Sequence, residues 1–283
     1  MAKPARYPLD DKVVLITGAG RGLGACIATE VARRGARVAL LDIDEAAAKR
    51  TAAELPRGRA LGIPCDVTDA DSIRSAVGRA VEEFGQVEVS IANAGIMGHG
   101  STFRTLSAED IEKVMRVNVT GATNTVAATI ESVISNRGQI VLISSVFAYI
   151  NGAGAIPYAM SKAAVSQMGR GLAVELAPHG ASAITAYFSL LETDLVREGI
   201  DGDPEVLAVM ALTPKFFLKR LTPQVAAKAI ADGLECRVQR VATPARWLPI
   251  AALQGILGPL ADKKLSRDAP MHKALLKLEE RAR

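Results

Sequence analysis

Tyr158 and Lys162 stand four residues apart in the stretch YAMSK, directly after Pro157. Proline suits the first turn of a helix, and a helix that begins there places both side chains on one face. A free tyrosine titrates near pH ~10 and a free lysine near ~10.4, so neither is by itself an acid or base suited to neutral pH. A neighbouring cation favours the phenolate, however, and lowers the pKa of a tyrosine. The pair is therefore either a proton-transfer group or an ordinary exposed helix face.

A glycine-rich turn precedes the first predicted helix. The segment TGAGRGLG (17–24) follows an apolar run, KVVLIT (12–17), and leads into a helical pattern over 22–34. Glycines allow positive φ and close backbone approach, and a helix N-terminus offers free N–H groups to an anion. The turn predicts a dinucleotide pyrophosphate site, and a flexible turn without a ligand is the alternative. Its predicted contact residues are Gly18, Gly20, Arg21, Gly22, Leu23 and Gly24.

Asp42 indicates which dinucleotide that site prefers. It ends the second predicted strand, 18 residues after Gly24. A carboxylate there accepts hydrogen bonds from the adenosine ribose hydroxyls and repels a 2′-phosphate. The next residue, Ile43, is not basic, so NAD is favoured over NADP. Arg21 favours NADP instead, because a cation there could bind a 2′-phosphate. A separate alternative is that Asp42 caps the helix that starts near Asp44.

Strands alternate with helices along the chain. This order predicts one doubly wound α/β domain of the Rossmann type over 1–245, with a parallel sheet of about seven strands and helices on both faces. The predicted strands cover 12–17, 36–42, 60–66, 87–93, 138–145, 181–189 and 237–244. Ligands bind beyond the carboxyl ends of such strands, at the switch in strand order. Further cofactor contacts are therefore expected at Cys65, Asp66, Val67, Asn93, Ala94 and Gly95.

Composition narrows the class of protein. The 283 residues carry a net charge of +4, and the basic residues are scattered, so nucleic-acid binding is not expected. Cys26, Cys65 and Cys236 lie far apart, which fits a reducing compartment. The N-terminus has no apolar leader segment, and we expect a cytoplasmic protein. The three histidines show no metal-ligand spacing, and no metal site is expected.

Several segments together resemble the short-chain dehydrogenase/reductase family between about residues 11 and 195. A serine thirteen residues before a YxxxK pair is the specific part of the resemblance, and Ser145 has this spacing whereas Ser144 is off by one. The matching segments are TGAGRGLG (17–24), CDVT (65–68), ANAG (92–95), Asn118, ISS (143–145) and YAMSK (158–162).

The resemblance implies a catalytic group of Asn118, Ser145, Tyr158 and Lys162. By that resemblance, Tyr158 transfers the proton, Lys162 lowers its pKa and binds the nicotinamide ribose, Ser145 holds the substrate oxygen, and Asn118 holds a water. The implied activity is hydride transfer between NAD(H) and a secondary alcohol or ketone. A dinucleotide-binding or redox-sensing protein without turnover is the alternative, which the intact Ser–Tyr–Lys group disfavours.

The chain departs from the family pattern after the sixth predicted strand. Phe188 and Ser189 stand where the family usually has a Pro-Gly pair, and the resemblance implies cofactor contacts of Leu191 and Thr193 after them. Residues 190–221 would form a substrate lid. Its apolar side chains suggest a hydrophobic substrate, such as a terpenoid, steroid or long-chain carbonyl, and comprise Leu195, Val196, Leu207, Met210, Leu212, Phe216, Phe217 and Leu218.

Residues 246–283 extend beyond the family core. The apolar stretch Trp247–Ala261 is flanked by Arg246, Lys263 and Lys264 and is shorter than the ~20 residues of a spanning helix. It is interpreted as a lid or interface segment, with a peripheral membrane contact as the alternative. We expect a homodimer or homotetramer.

Overall fold

Seven parallel strands form one sheet in the computed structural model, which describes residues 6–212 and 219–280. The order is β3-β2-β1-β4-β5-β6-β7. This confirms the predicted α/β fold with its parallel sheet of about seven strands. The strands are β1 (Val13–Thr17), β2 (Arg37–Asp42), β3 (Ala60–Pro64), β4 (Val89–Ala92), β5 (Gln139–Ile143), β6 (Ser182–Phe188) and β7 (Arg240–Thr243).

Helices cover both faces of the sheet, because the strands are apolar on both sides and must be shielded from water. Ile27 of α1 and Ile230 of α9 pack on one face, and Ile73 of α3 and Val165 of α6 pack on the other. The helices are α1 (Gly22–Arg33), α2 (Glu45–Ala53), α3 (Ala70–Phe84), α4 (Ala108–Met115), α5 (Gly121–Ser135), α6 (Ile156–Glu175), α7 (Asp194–Val196), α8 (Pro204–Ala211), α9 (Pro223–Glu235), α10 (Trp247–Ala252), α11 (Gln254–Leu265) and α12 (Ala269–Glu280).

The strand order reverses between β1 and β4, which pair with each other directly. The chain leaves these two strands in opposite directions, so a crevice opens at their carboxyl ends. Thr17 and Asn93 hold the two strand ends together. The Thr17 hydroxyl accepts from the backbone N–H groups of Asn93 and Ala94 at 3.1 and 3.2 Å. The Asn93 amide donates to the carbonyls of Thr17 and Gly18 at 2.9 and 3.0 Å.

The long helix predicted over 107–135 contains an unpredicted irregularity. It begins with the expected capping box between Ser107 and Asp110. A π-helical turn at Arg116–Thr120 then separates α4 from α5. Such turns insert one residue into the helix and often occur at functional sites. Hydrophobic periodicity does not reveal them, since the flanking helices remain in phase with the core.

Residues 247–280 fold back over the carboxyl edge of the sheet as α10, α11 and α12. Met271 and Ala274 of α12 pack against Val209 of α8. Near the end of α12, Glu279 accepts from the Thr102 hydroxyl at 3.0 Å and pairs with Arg104. Within the described residues, no helix has both the length and the apolar character needed to cross a bilayer.

Replacing Gly169 of α6 with alanine is expected to lower the free energy of unfolding by about 1–3 kcal/mol, measured by urea unfolding. The added Cβ would stand 2.1 Å from Oγ1 of Thr185 and 3.1 Å from Cδ1 of Leu142. Thr185 is buried and β-branched, so it cannot easily move away.

Gly171→Ala in the same helix is the matched control. Its new Cβ would meet no atom of the described residues within 4 Å. Helix propensity alone then predicts a gain of up to about 1 kcal/mol. A similar loss of stability in both variants would contradict the packing argument.

Candidate active site at the carboxyl edge of the sheet

A cleft of about 740 Å³ lies at the carboxyl ends of the strands. Among the sequence-predicted site residues, only Gly20 and Asn118 do not line it. Gly20 packs against Asp42 and Ala47, and Asn118 lies behind the cleft wall. The predicted residues that do line it are Gly18, Arg21, Gly22, Leu23, Gly24, Asp42, Ile43, Cys65, Asp66, Val67, Asn93, Ala94, Gly95, Ser145, Tyr158, Lys162, Leu191 and Thr193.

The glycine turn presents the N-terminus of α1 to the cleft. Gly18 and Gly22 adopt φ of 64° and 58°, which side chains rarely tolerate. Arg21, the residue before the helix, makes no side-chain cap, so the first N–H groups of α1 are left for another acceptor. A Cβ on Gly24 would stand 2.1 Å from the Gly18 carbonyl oxygen. The turn therefore fits an anionic group such as a pyrophosphate.

Asp42 lies beside this turn and makes two backbone hydrogen bonds. Its Oδ2 accepts from the Gly20 N–H at 2.8 Å, and its Oδ1 accepts from the Asp44 N–H at 3.0 Å. The alternative that Asp42 caps α2 is wrong, because Asp44 is the cap and accepts from the Ala47 N–H at 2.9 Å. The neighbouring Ile43 is 76% exposed. The carboxylate thus reaches the cleft with an apolar residue next to it.

Arg21 points towards the chain segment after β6. Its guanidinium lies 3.8 Å from the Asp194 carboxylate, and both side chains are exposed. On the same side, Thr193 faces Gly22, with its Cγ2 3.8 Å from the position of a Gly22 Cβ. This side of the turn is therefore closed by the segment that carries Leu191 and Thr193.

Cys65, Asp66 and Val67 follow β3 and form another part of the wall. Asp66 accepts from the Thr68 N–H and hydroxyl at 2.9 and 2.8 Å, which is ordinary turn chemistry. The Val67 carbonyl accepts from the Asn124 amide of α5 at 2.9 Å. These bonds fix the backbone of the wall and leave its cleft-facing surface available to a ligand.

Tyr158 and Lys162 are buried, so the alternative of an exposed helix face is wrong. Their exposed fractions are 7% and 5%. Burial raises the pKa of Tyr158 to about 12, and a hydrogen bond with Ser145 acts in the opposite direction. Burial also lowers the pKa of Lys162 to about 8. The expectation that Lys162 lowers the pKa of Tyr158 is not met by the chain alone, because desolvation of the phenol dominates.

The Lys162 ammonium lies between β5 and the Tyr158 ring. It donates to the Ile143 carbonyl at 3.0 Å and stands 5.5 Å from the centre of the ring. Gly95 leaves space for it: a Cβ there would lie 3.4 Å from the Lys162 Nζ and 3.2 Å from the Asn118 Oδ1. Gly95 thus accommodates the predicted catalytic side chains in addition to lining the cleft.

The two serines that follow β5 have different partners. Ser144 donates its hydroxyl to the Lys162 carbonyl at 2.8 Å and so holds α6 against β5. Ser145 donates its hydroxyl to the Phe188 carbonyl at 3.4 Å and accepts from the Phe147 N–H at 3.2 Å, and its proximity to Tyr158 acts to lower the pKa of the phenol. The geometry therefore places Ser145, and not Ser144, beside the phenol, as the thirteen-residue spacing predicts.

Asn118 lies in the π-helical turn and is committed to protein partners. Its amide donates to the Ile96 carbonyl at 2.8 Å and to the Ser161 hydroxyl at 2.9 Å. Its Oδ1 accepts from the Ile96 N–H at 2.8 Å. Both amide hydrogens are used. The Asn118 side chain could therefore hold a water near Lys162 only by accepting a hydrogen bond from it with the second lone pair of Oδ1.

An apolar wall faces the phenol, and sequence reasoning missed most of it. The Phe147 and Tyr158 rings meet edge to face at 5.4 Å between centroids. Trp247 of α10 is 5% exposed and packs in the same cluster, with Met97 and Met210 at its border. Trp247 is the only tryptophan of the chain. The sequence therefore marks this residue as unusual but does not show that it lies at the cleft.

The lid residues divide between the cleft and solvent. Leu195, Val196 and Met210 line the cleft, whereas Leu207 and Leu212 are 40% and 37% exposed. Phe188 is buried and also lines the cleft, in place of the expected proline. Of the predicted lid residues, Phe216, Phe217 and Leu218 lie outside the described part of the chain.

Comparison with known proteins agrees with this arrangement. Residues 12–202 match the family model of short chain dehydrogenases. The oxidoreductase UcpA of Salmonella typhimurium is 36% identical over 211 residues, which cover 72% of this chain and 80% of UcpA. A short chain dehydrogenase/reductase from Burkholderia phymatum, solved in complex with NAD, has a TM-score of 0.78 at 25% identity, and the match covers 93% of this chain and 97% of that one.

A second solved structure is the 3-ketoacyl-(acyl-carrier-protein) reductase of Brucella melitensis complexed with NADH. Its TM-score is 0.72 at 26% identity, over 83% of this chain and 97% of that chain. The family model, the sequence relatives and the solved structures all indicate the same family. The chain belongs to the short-chain dehydrogenase/reductase family of oxidoreductases.

Proposed function

We propose that this chain transfers a hydride between NAD(H) and a hydrophobic secondary alcohol or ketone, with Tyr158 as the general acid or base. The observation that supports this most directly is the burial of Tyr158 and Lys162, with Ser145 beside the phenol, in the same cleft as the glycine turn. A buried ammonium without a carboxylate partner lowers stability, so its presence here favours a functional role.

The cofactor would extend along the carboxyl ends of the strands. The uncapped N-terminus of α1 and the turn glycines suit its pyrophosphate, and Asp42 suits the adenosine ribose. Gly95, Leu191 and Thr193 would line the nicotinamide end. Bound there, a nicotinamide supplies or accepts the hydride.

The protein residues would manage the proton and the substrate oxygen. With a pKa of about 12, Tyr158 carries its proton at neutral pH and can donate it to a carbonyl oxygen in the reductive direction. Ser145 would donate a second hydrogen bond to the same oxygen as negative charge develops on it. Lys162 would place positive charge beside the phenolate that remains and stabilise it.

NAD is supported over NADP by the neighbours of Asp42. A carboxylate beside the exposed, uncharged Ile43 would repel a 2′-phosphate. Arg21, the cation that favours NADP, faces Asp194 at 3.8 Å. The two family structures solved with NAD and NADH agree with this preference without deciding it for this chain.

The cleft walls support an apolar substrate. Phe147, Met210 and Trp247 form one side of the space next to Tyr158. In the proposal, residues 1–245 form the catalytic domain, residues 190–221 act as the substrate lid, and residues 246–283 form an extension. This extension is part of the site, because Trp247 completes its wall.

Tyr158→Phe is expected to reduce turnover by about 10²–10⁴-fold, because the proton donor is lost while the ring remains. The assay follows NADH absorbance with a panel of hydrophobic ketones and secondary alcohols, and NADH fluorescence reports binding, which should be unchanged. Tyr149→Phe is the control, since Tyr149 is another tyrosine near the site that does not line the cleft. Turnover at the wild-type rate in Tyr158→Phe, or no oxidoreductase activity of the wild type on any member of the panel, would overturn the proposal.

Asp42→Asn is expected to reduce the preference for NAD over NADP by at least about 10-fold in kcat/KM. The amide oxygen can still accept from the Gly20 N–H, so the turn should keep its shape while the negative charge disappears. Asp44→Asn is the control for a charge change two residues away. Arg21→Ala should leave the preference nearly unchanged. A strong NADP preference of the wild-type protein would show that Asp42 does not select the cofactor.

Lys162→Met is expected to flatten the pH dependence of stability while abolishing turnover. The pKa of Lys162 lies near 8 in the fold, below its ordinary value of 10.5. Between these two pKa values Lys162 binds its proton more fully in the unfolded chain than in the folded chain. The free energy of unfolding therefore rises with pH, by on the order of 2 kcal/mol from pH 8 to 10.

Urea unfolding of wild type and variant at pH 7, 8, 9 and 10 measures this contribution as a difference, which removes the effects of other titrating groups. Lys277→Met on the exposed face of α12 should leave the wild-type pH dependence intact. If Lys162→Met also follows the wild-type curve, Lys162 titrates normally in the fold and the burial argument fails.

A further inference from the structure

Helix α11 carries an apolar stripe that no described part of the chain covers. The stripe consists of Ile256, Leu257 and Leu260 on one face of α11, together with Leu253, the residue directly before the helix. Their exposed fractions are, in that order, 65%, 40%, 62% and 49%. Large apolar side chains grouped in this way on a protein surface mark an interaction site.

The opposite side of α11 fixes the direction in which the stripe points. Asp262 accepts from the Asn151 amide at 2.8 Å, and Leu265 packs against the cluster formed by Val209, Met271 and Ala274. These contacts attach the helix to the rest of the protein through its other face. The apolar stripe is therefore held outward, towards solvent.

Cations lie at the end of the stripe. Lys263 and Lys264 follow Leu260 by three and four residues, and Arg267 follows one turn later. All three are exposed, and none forms an ion pair with a carboxylate of the described residues. Long basic side chains next to an apolar stripe can bury their stems and extend their charges to an anionic surface.

We propose that α11 and the preceding α10 dock onto the surface of an anionic lipid bilayer. The apolar stripe would enter the boundary between headgroups and acyl chains, and the three cations would contact lipid phosphates. A second copy of the same surface is a poorer partner, because the one carboxylate of α11, Asp262, is already bonded to the Asn151 amide on the side opposite the stripe.

The docking surface adjoins the candidate active site. Trp247 begins α10 and lines the cleft, and the stripe follows six residues later in the chain. Docking would therefore bring the cleft close to the lipid surface, where an apolar substrate would be concentrated. The inference goes beyond the proposed function and does not depend on it, because vesicle binding is measured without turnover.

The test is co-sedimentation of the full chain with phosphatidylcholine vesicles, with and without an equal share of phosphatidylglycerol. We expect binding at least about 10-fold stronger to the anionic vesicles, and weaker binding as salt is raised. Ile256→Asn/Leu260→Asn and Lys263→Glu/Lys264→Glu should each reduce binding by at least about 10-fold.

Matched controls carry the same changes elsewhere. Val174→Asn replaces an exposed apolar side chain of α6, and Arg57→Glu/Arg79→Glu reverses two exposed charges near β3, at the other edge of the sheet. Both should bind vesicles like the wild type. Circular dichroism and analytical ultracentrifugation establish that each variant is folded and report its association state.

Three outcomes would overturn the proposal. The first is no binding of the wild type to either vesicle. The second is binding that the stripe and lysine variants do not reduce more than the controls do. The third is a change in association state of Ile256→Asn/Leu260→Asn without any vesicle binding of the wild type, which would make the stripe a contact between copies of this chain.

Discussion

The burial of the Lys162 ammonium is the constraint around which this active site is arranged. A charge that is removed from water lowers stability. Here the hydrogen bond from the Lys162 ammonium to the Ile143 carbonyl offsets part of that loss. Ser144 fixes the same helix by bonding the Lys162 carbonyl, and Gly95 leaves the space that the ammonium occupies. The surroundings of Lys162 thus hold the group rigidly and depress its pKa, which keeps its charge responsive to what binds next to it.

The helix irregularity at Asn118 lies against the helix that carries Lys162. The π-helical turn brings the Asn118 amide into contact with both Ile96 and Ser161. Ser161 lies on α6 between Tyr158 and Lys162 and donates its hydroxyl to the Tyr158 carbonyl at 2.7 Å. Asn118 therefore joins the loop after β4 to the helix that carries the phenol and the ammonium. Its position depends on the extra residue of the turn, because a regular α-helix would rotate this side chain away.

Hydrogen bonds from polar side chains at the strand ends hold together the side of the cleft that carries the glycine turn. Thr17 and Asn93 join the ends of β1 and β4 at the switch in strand order, so the glycine turn and the loop that leads to Gly95 share one anchor. Asp42 then attaches the turn to the end of β2 through the Gly20 N–H. A polar side chain lies at or directly after the end of each of these strands, where the carboxyl edge has backbone groups that no strand satisfies. On the other side of the cleft the contacts are apolar, and they come from Trp247 of the C-terminal extension and from Met210 of α8.

The sequence alone determined the fold and predicted the candidate site residues. Buried strands are continuous apolar runs and amphipathic helices have a period near 3.6, so local pattern predicts both, and parallel strands then place their following residues at one edge. The spacing of Ser145, Tyr158 and Lys162 can also be recognised in the sequence, because Tyr158 and Lys162 lie on the same helix. Only the tertiary structure decided that Tyr158 is buried and that this desolvation raises its pKa, that Asn118 faces Ile96 and Ser161, and that Trp247 lines the cleft. Burial and contacts between residues distant in sequence depend on how the whole chain packs, which no local pattern contains.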